Sequence, residues 1–222
     1  MILDIIQTSK ELLTADFVIK HGEKQIGSFS LKGKLYSMEA DISGTLYDCV
    51  FRITYDRRLK SKETFRPYSI LEFDREIGSI FQAERKISLF KGYGFRQMNC
   101  CGNTYTMYAI GMGNEGLKLP IYCGDMQIAQ IEKDCIVYNG LHNYRAYIEQ
   151  DVLIKVVAWF CAYLYVTGPY APGEKVISGK TKIVSTTTNK LLKEKYNPDF
   201  KKNIEQWLIR NLFWGDPSKL DF

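Results

Sequence analysis

The stretch YDRRLKSKETFRP places Arg57, Arg58, Lys60, Lys62 and Arg66 within one short run. Guanidinium forks and ammonium point charges at this density suit phosphate head groups and carboxylates. The interleaved Asp56 and Glu63 equally fit a solvated loop between two strands. These five cations are the candidate anionic-ligand patch. Other chemistry fails on spacing. GMGNEG, residues 111 to 116, has the letters GxGxxG. A dinucleotide site needs a helix N-terminus after the last glycine, and LKLPIYCG reads as a strand, so a hairpin turn is expected. Cys100 and Cys101 are adjacent, without metal-ligand spacing or a nearby histidine, and are read as lining a strand. His21 and His142 fall in turn-like segments, and no GxSxG, HExxH or P-loop string occurs. No catalytic, cofactor-binding or metal-ligating residue is therefore assigned, and no cofactor is expected. The chain reads as a non-catalytic binding or regulatory domain. The alternative is an enzyme with an unrecognised cleft using Cys/His or carboxylate chemistry.

Composition agrees with a globular chain: 45% of residues are hydrophobic and 25% charged. The net charge of +5 comes almost entirely from residues 151–222. Its cations are spread along helix-like segments rather than set in a stripe with aromatic platforms, so nucleic acid is not an expected partner. The opening MILDIIQTSK lacks a basic leader, and Asp4 interrupts its apolar run. The six cysteines form no CxxC pair and are read as reduced thiols of a cytoplasmic or peripheral membrane protein.

The elements that must hold the patch are mostly strands. Short runs rich in Tyr, Phe, Ile and Val, such as FVIKH, YSILEFD and NYRAYIEQ, recur between Gly, Asn and Asp turns up to residue 150. About a dozen such runs without intervening amphipathic helices argue for a barrel or sandwich. KHGEKQIGSF, EFDREIGSIF and YCGDMQIAQI repeat one hairpin pattern. Their Ile26, Ile77 and Ile128 are 51 residues apart, each followed by Gly or Ala. A small residue there admits a neighbouring backbone, and a repeated hairpin unit favours a sheet that closes on itself.

DVLIKVVAWFCAYLYVTG, residues 151 to 168, is apolar on every face beyond Lys155. It is too short to cross the roughly 30 Å of bilayer hydrocarbon as a helix. Asp151 favours a helix start and Gly168-Pro169 a stop. A helix apolar all round must be buried all round, and a ring of about twelve strands is wide enough to hold one. A further strand or a helix lying on a membrane are the other readings of the run. The expected fold is thus mainly β: a closed antiparallel β-barrel of about 12 strands around a central hydrophobic helix, with a C-terminal helical tail.

FVIKHGEKQIGSFSLKGKLYSM and YSILEFDREIGSIFQAERKISLF are similar to the LURP-one-related pattern: an extended strand, a polar turn, Ile-Gly, then a basic strand. With the final apolar helix, residues 15–170 resemble the tubby-like barrel superfamily, which includes tubby C-terminal domains and phospholipid scramblases. The resemblance implies a barrel around a core helix at 151–167 and a role at an anionic membrane surface or with a protein partner. No ligand-binding residue of those families maps onto a position here.

Residues 1–14 are a separate N-terminal segment for which a helix is one option. Residues 171–222 form a helical extension broken at Asn197-Pro198, a cap followed by a first-turn proline. Phe200, Ile204, Trp207, Leu208 and Leu212 share one apolar face. That face can meet the chain's own barrel, a partner or second copy, or a membrane.

Overall fold

A computed structural model describes residues 1–34, 39–88, 91–167 and 179–214. In chain order the strands are β1 Ile2–Lys10, β2 Thr14–His21, β3 Lys24–Gly33, β4 Ala40–Leu46, β5 Cys49–Tyr55, β6 Phe65–Glu72, β7 Arg75–Ser88, β8 Lys91–Cys100, β9 Asn103–Met107, β10 Ile110–Gly113, β11 Leu117–Cys123, β12 Met126–Lys133, β13 Ile136–Tyr138 and β14 Asn143–Ile148. Helix α1, Ile154–Thr167, follows. Then come β15 Lys180–Lys182, β16 Ser185–Thr186, α2 Lys190–Lys193 and α3 Pro198–Trp214. Antiparallel pairing runs β12-β14-β1-β2-β3-β4-β5-β6-β7-β8-β9-β11, and β11 pairs back onto β12. The ring is closed, which removes both end strands as edges.

The first strand corrects an expectation. Residues 1–14 are not a separate segment: β1 pairs with β14 on one side and β2 on the other. Leu3, Ile5 and Gln7 are buried, the alternation of a strand. Ile2 and Ile6 on the other face hide that period in the sequence, and Ile2 is apolar because α3 covers it. β13 leaves the ring to pair with β15, and β16 pairs with β10. Among the described residues the tail therefore opens with two short strands rather than a helix. GTLYDCVFRITYD, an apolar-rich run without Gly or Pro after its first residue, is the end of β4, a turn at Tyr47 and Asp48, and β5.

The 51-residue repeat is a β-bulge. In the β2–β3, β6–β7 and β11–β12 hairpins the register skips one residue, and the skipped residues are Ile26, Ile77 and Ile128. An extra residue on one strand twists and bends the sheet locally. β3, β7 and β12 lie four strands apart around the ring, so the three bulges share its curvature evenly. The residue after each is small for a steric reason. A Cβ on Gly27 would lie 2.5 Å from the Thr45 carbonyl oxygen, and one on Gly78 2.2 Å from that of Asn99.

In α1 every side chain except Lys155 is buried. Its neighbours come from opposite sides of the ring. Trp159 meets Phe51 of β5 edge-on at 6.4 Å, Tyr163 meets Tyr68 of β6 at 5.6 Å, and Tyr165 meets Phe17 of β2 at 5.0 Å. Further contacts reach β12, β14, β3 and β4. Asp151 does not cap this helix. It opens a single 3₁₀ turn, Asp151–Leu153, whose cap position is Gln150. Gly168-Pro169 lies outside the described residues. Among the described residues no helix is long and apolar enough to cross a membrane.

The tail helices sit on the outside of the barrel. The Asn189 side chain accepts from Leu192 N–H at 3.2 Å, capping α2, and the Asn197 side chain accepts from Asp199 N–H at 3.0 Å, capping α3. Phe200 and Ile204 pack on Tyr147, with Leu208 beside them, while Trp207 is 58% exposed. The Leu212 side chain lies outside the described residues. Lys201 pairs with Glu132 at 3.4 Å and stands over the Tyr147 ring at 5.0 Å. The chain's own barrel is thus the surface that α3 meets.

Candidate functional site

The strand directions give the barrel two ends. The α1 N-terminus shares one end with the turns after β2, β4, β6, β8 and β11. The α1 C-terminus shares the other with the β5–β6 connection, which carries the basic run.

The run divides among four settings. Arg57 is exposed and reaches Glu39 at 3.5 Å. Arg58 forks onto Asp56, with Nη2 to Oδ2 at 2.6 Å and Nε to Oδ1 at 3.0 Å, and Ser69 Oγ donates to the same carboxylate. These hydrogen bonds, Arg58 first, hold the Asp56 carboxyl well below its usual range. Arg58 is therefore committed to holding its own turn. Lys62 lines a hollow of about 610 Å³ with Phe65, Phe81 and Phe95. Only Lys60 and Arg66 face the same cavity, of about 720 Å³, at the mouth of the barrel.

That cavity is built around the end of α1. The last carbonyls of a helix have no partner within it. Here the Thr167 carbonyl accepts from Arg66 Nη1 at 3.2 Å and from Gln82 Nε2 at 3.4 Å. Arg66 holds a left-handed backbone, φ 48°, where β6 bulges beside Pro67. Such a conformation is uncommon for a residue with a Cβ and persists only where surrounding contacts impose it. One such contact is Tyr163 Oη, which donates to the Arg66 carbonyl at 2.8 Å.

Arg96, on β8, completes the site. Its Nε donates to Thr167 Oγ1 at 3.4 Å, and its other guanidinium donors have no partner among the described residues. Burial lowers its pKa, and the neighbouring Arg66 charge pushes in the same direction. No carboxylate among the described residues pairs with it. Two guanidinium groups thus converge on one helix end, favoured by the negative pole of the helix dipole. Capping accounts for Arg66 and Gln82. It leaves the remaining Arg96 donors open to the cavity.

Sequence reasoning missed Arg96 because it stands alone in GYGFRQM rather than in a charge run. A signal exists nevertheless. Arg96, Met98 and Cys100 share one face of β8, and Met98 and Cys100 are buried. An arginine in register with buried apolar residues is an inward-facing cation.

The other candidates are structural. GMGNEG is the β10–β11 hairpin, with Gly116 at φ 81°. Cys100 ends β8, whereas Cys101 lies in the following turn at φ 51°, so only the first lines a strand. Their sulfurs are 3.4 Å apart, and burial, with the Cys101 thiol next, pushes Cys100 up to about 12. A thiol so raised is a poor source of thiolate. Among the described residues no His, Cys, Asp and Glu group is arranged to hold a metal ion.

His142 is buried rather than set in an exposed turn, with its ring 6.2 Å from Tyr165. Burial, then the Lys133 and Lys10 charges, lowers its pKa from 6.5 to about 3. Below pH 6.5 the unfolded chain takes up a proton at this residue that the folded chain refuses until about pH 3. Stability therefore falls as the pH drops through that window and is fully present above it. Urea midpoints measured from pH 7 to pH 4 will decline less steeply in His142→Gln than in the unaltered protein.

No protein-family model, curated protein or solved structure matches the chain.

Proposed function

We propose that this chain is a non-catalytic binding domain of tubby-like type. In this reading α1 runs through the barrel as its core, and the mouth where α1 ends binds an anionic group, a phosphate or a carboxylate. Support for the core helix comes from its near-complete burial and from aromatic partners on β2, β5 and β6. A core filled in this way leaves the mouth, not the interior, as the place for a ligand. The observation that carries the binding role is Arg96: a half-buried cation beside a second guanidinium, in an open cavity of about 720 Å³ that Glu39 and Glu84 also line without pairing with it. A half-buried cation is incompletely solvated, and an anion seated between Arg66 and Arg96 restores that lost solvation through charge-assisted hydrogen bonds.

Phosphate comes either free in solution or on a lipid head group, and the test separates the two. Calorimetric titration with inorganic phosphate at constant ionic strength is expected to show binding that weakens as salt rises. Arg96→Gln is expected to weaken it at least tenfold, about 1.4 kcal/mol. Arg52→Ser, at the opposite end of the barrel, is expected to leave it unchanged. Co-sedimentation with phosphatidylcholine vesicles, with and without phosphatidylserine, then reports whether the same mouth reaches a membrane. Absence of phosphate and acetate binding, or equal binding by Arg96→Gln, removes this function.

A further inference from the structure

β7 outruns its neighbour. Its last pair with β6 is Gln82 with Phe65, yet it continues to Ser88 against β8. Among the described residues, 83–88 have a hydrogen-bonded strand on one side only. Backbone N–H and C=O groups on such an edge are a template for an added strand. Charged residues usually blunt such edges, and Glu84, Arg85 and Lys86 lie on this one. The hollows beside it point to an occupant rather than to a bare edge.

The pleat puts Gln82 and Arg96 on one face and Phe81, Ala83 and Phe95 on the other, and the two hollows that meet here share Phe65, Ala83, Glu84 and Phe95. Gln82 and Glu84, with Arg96 across from Gln82, line the cavity that holds Arg66 and Lys60. Phe81 and Ala83, with Phe95 across from Ala83, line the second hollow, where Phe65 is 45% exposed. A strand laid along β7 sends successive side chains to opposite faces. One set would enter a cavity rich in guanidinium groups. The other set would enter a hollow of about 610 Å³ where Phe65, Phe81 and Phe95 stand among Lys62, Glu63, Glu84 and Lys86. Charge around the edge favours an acidic partner: Lys60, Lys62, Arg66, Arg85, Lys86 and Arg96 outnumber Glu39, Glu63 and Glu84. A second copy of this chain fits poorly. Antiparallel self-pairing about residue 84, 85 or 86 sets a charged residue against its own copy, and like charges directly opposite destabilise a ladder.

The geometry points to β7 residues 83–88 as the acceptor edge for an extended peptide in which acidic and apolar residues alternate. Its backbone adds to the sheet, its carboxylates meet Arg66 and Arg96, and its apolar side chains fill the phenylalanine hollow. This inference rests on the anion-binding reading of the mouth and names the source of the anion.

The test uses the full chain and three fluorescein-labelled hexapeptides. The first is Val-Glu-Val-Glu-Val-Glu, the second is the same sequence N-methylated at alternate residues, and the third is Val-Val-Val-Glu-Glu-Glu. Fluorescence polarisation is expected to show the alternating peptide binding at least tenfold tighter than either control, because N-methylation removes ladder donors and the block sequence loses the two-faced match. Arg96→Gln is expected to weaken it at least tenfold. Hydrogen–deuterium exchange is expected to show new protection confined to 83–88. Equal binding of all three peptides, or protection elsewhere, overturns strand addition. Inorganic phosphate is titrated into the same sample. Phosphate binding without peptide binding sinks this inference and leaves the anion site standing, whereas binding of neither removes both. A dimer in sedimentation velocity whose 83–88 amides are already protected without peptide assigns the edge to a second copy and overturns the inference.

Discussion

Trp159→Asp is expected to abolish cooperative folding. Trp159 is 3% exposed in the middle of α1, with Phe51 edge-on at 6.4 Å. Its immediate neighbours Ala158, Phe160 and Cys161 are fully buried. Removing the indole costs about 3–5 kcal/mol from lost burial and the cavity left behind. The new carboxyl, ionised or neutral, then lacks partners in an apolar setting, a further several kcal/mol. The sum approaches the roughly 5–15 kcal/mol that holds a typical domain together. Trp159→Phe separates loss of polarity match from loss of shape. The Trp159 indole N–H is buried without an acceptor among the described residues, so Phe forfeits no hydrogen bond there. It leaves a smaller void, and a cost of about 1–2 kcal/mol is expected. Val152→Asp, at a site 76% exposed just before the helix, is expected to change nothing measurable. Circular dichroism melts of the three variants read the ranking. A soluble Trp159→Asp protein with an unchanged melt would contradict both the burial of this helix and its proposed place in the barrel core.

The barrel was legible in the sequence because its signal is local. Short strands, turn residues and an apolar run too short for a membrane each announce themselves within a dozen residues. Which strands close the ring was not legible. β1 looks unlike a strand because Ile2 and Ile6 sit on its outer face, and Ile2 is apolar only because α3, two hundred residues later, covers it. β13 looks like a ring strand but pairs with β15 instead. Both depend on contacts remote in sequence, which no local period records.

The site divides in the same way. A charge run is visible in sequence, and Lys60 and Arg66 within it do face the mouth cavity. The run also contains Arg58, whose charge is consumed two residues away by Asp56. Arg96 and Gln82 reach the cavity from β8 and β7, and they meet Arg66 only because the ring brings three strands around one helix end. Convergence of this kind is a property of closure, so a linear reading finds its members singly or not at all.

Gly78→Val is expected to cost about 4 kcal/mol or more, the range reserved for changes that break a specific packing feature. Gly78 follows the bulged Ile77 and pairs with Cys100. An added Cβ would lie 2.2 Å from the Asn99 carbonyl oxygen and 2.9 Å from Cys100 Cα. Both are backbone atoms of the neighbouring strand, so relief requires β7 and β8 to part where they are paired. The position does not need glycine for its backbone angles, since Gly78 is not among the glycines with positive φ. The penalty is therefore steric and should grow with side-chain size, Gly78→Ala costing less than Gly78→Val. Two controls isolate that cause. Gly22 sits at φ 60° in a hairpin turn with nothing within 4 Å of an added Cβ. Gly22→Ala should cost only the roughly 1–2 kcal/mol of a left-handed residue. Ala129 occupies the place of Gly78 in the third repeat and already carries a Cβ against Ile148. Ala129→Gly should cost about 0.5–1 kcal/mol, so one repeat requires the small residue that another merely tolerates. Urea midpoints give the order directly. A Gly78→Val protein as stable as Gly22→Ala would mean that the β7–β8 approach is loose, and the shared bulge would then lose its part in closing the ring.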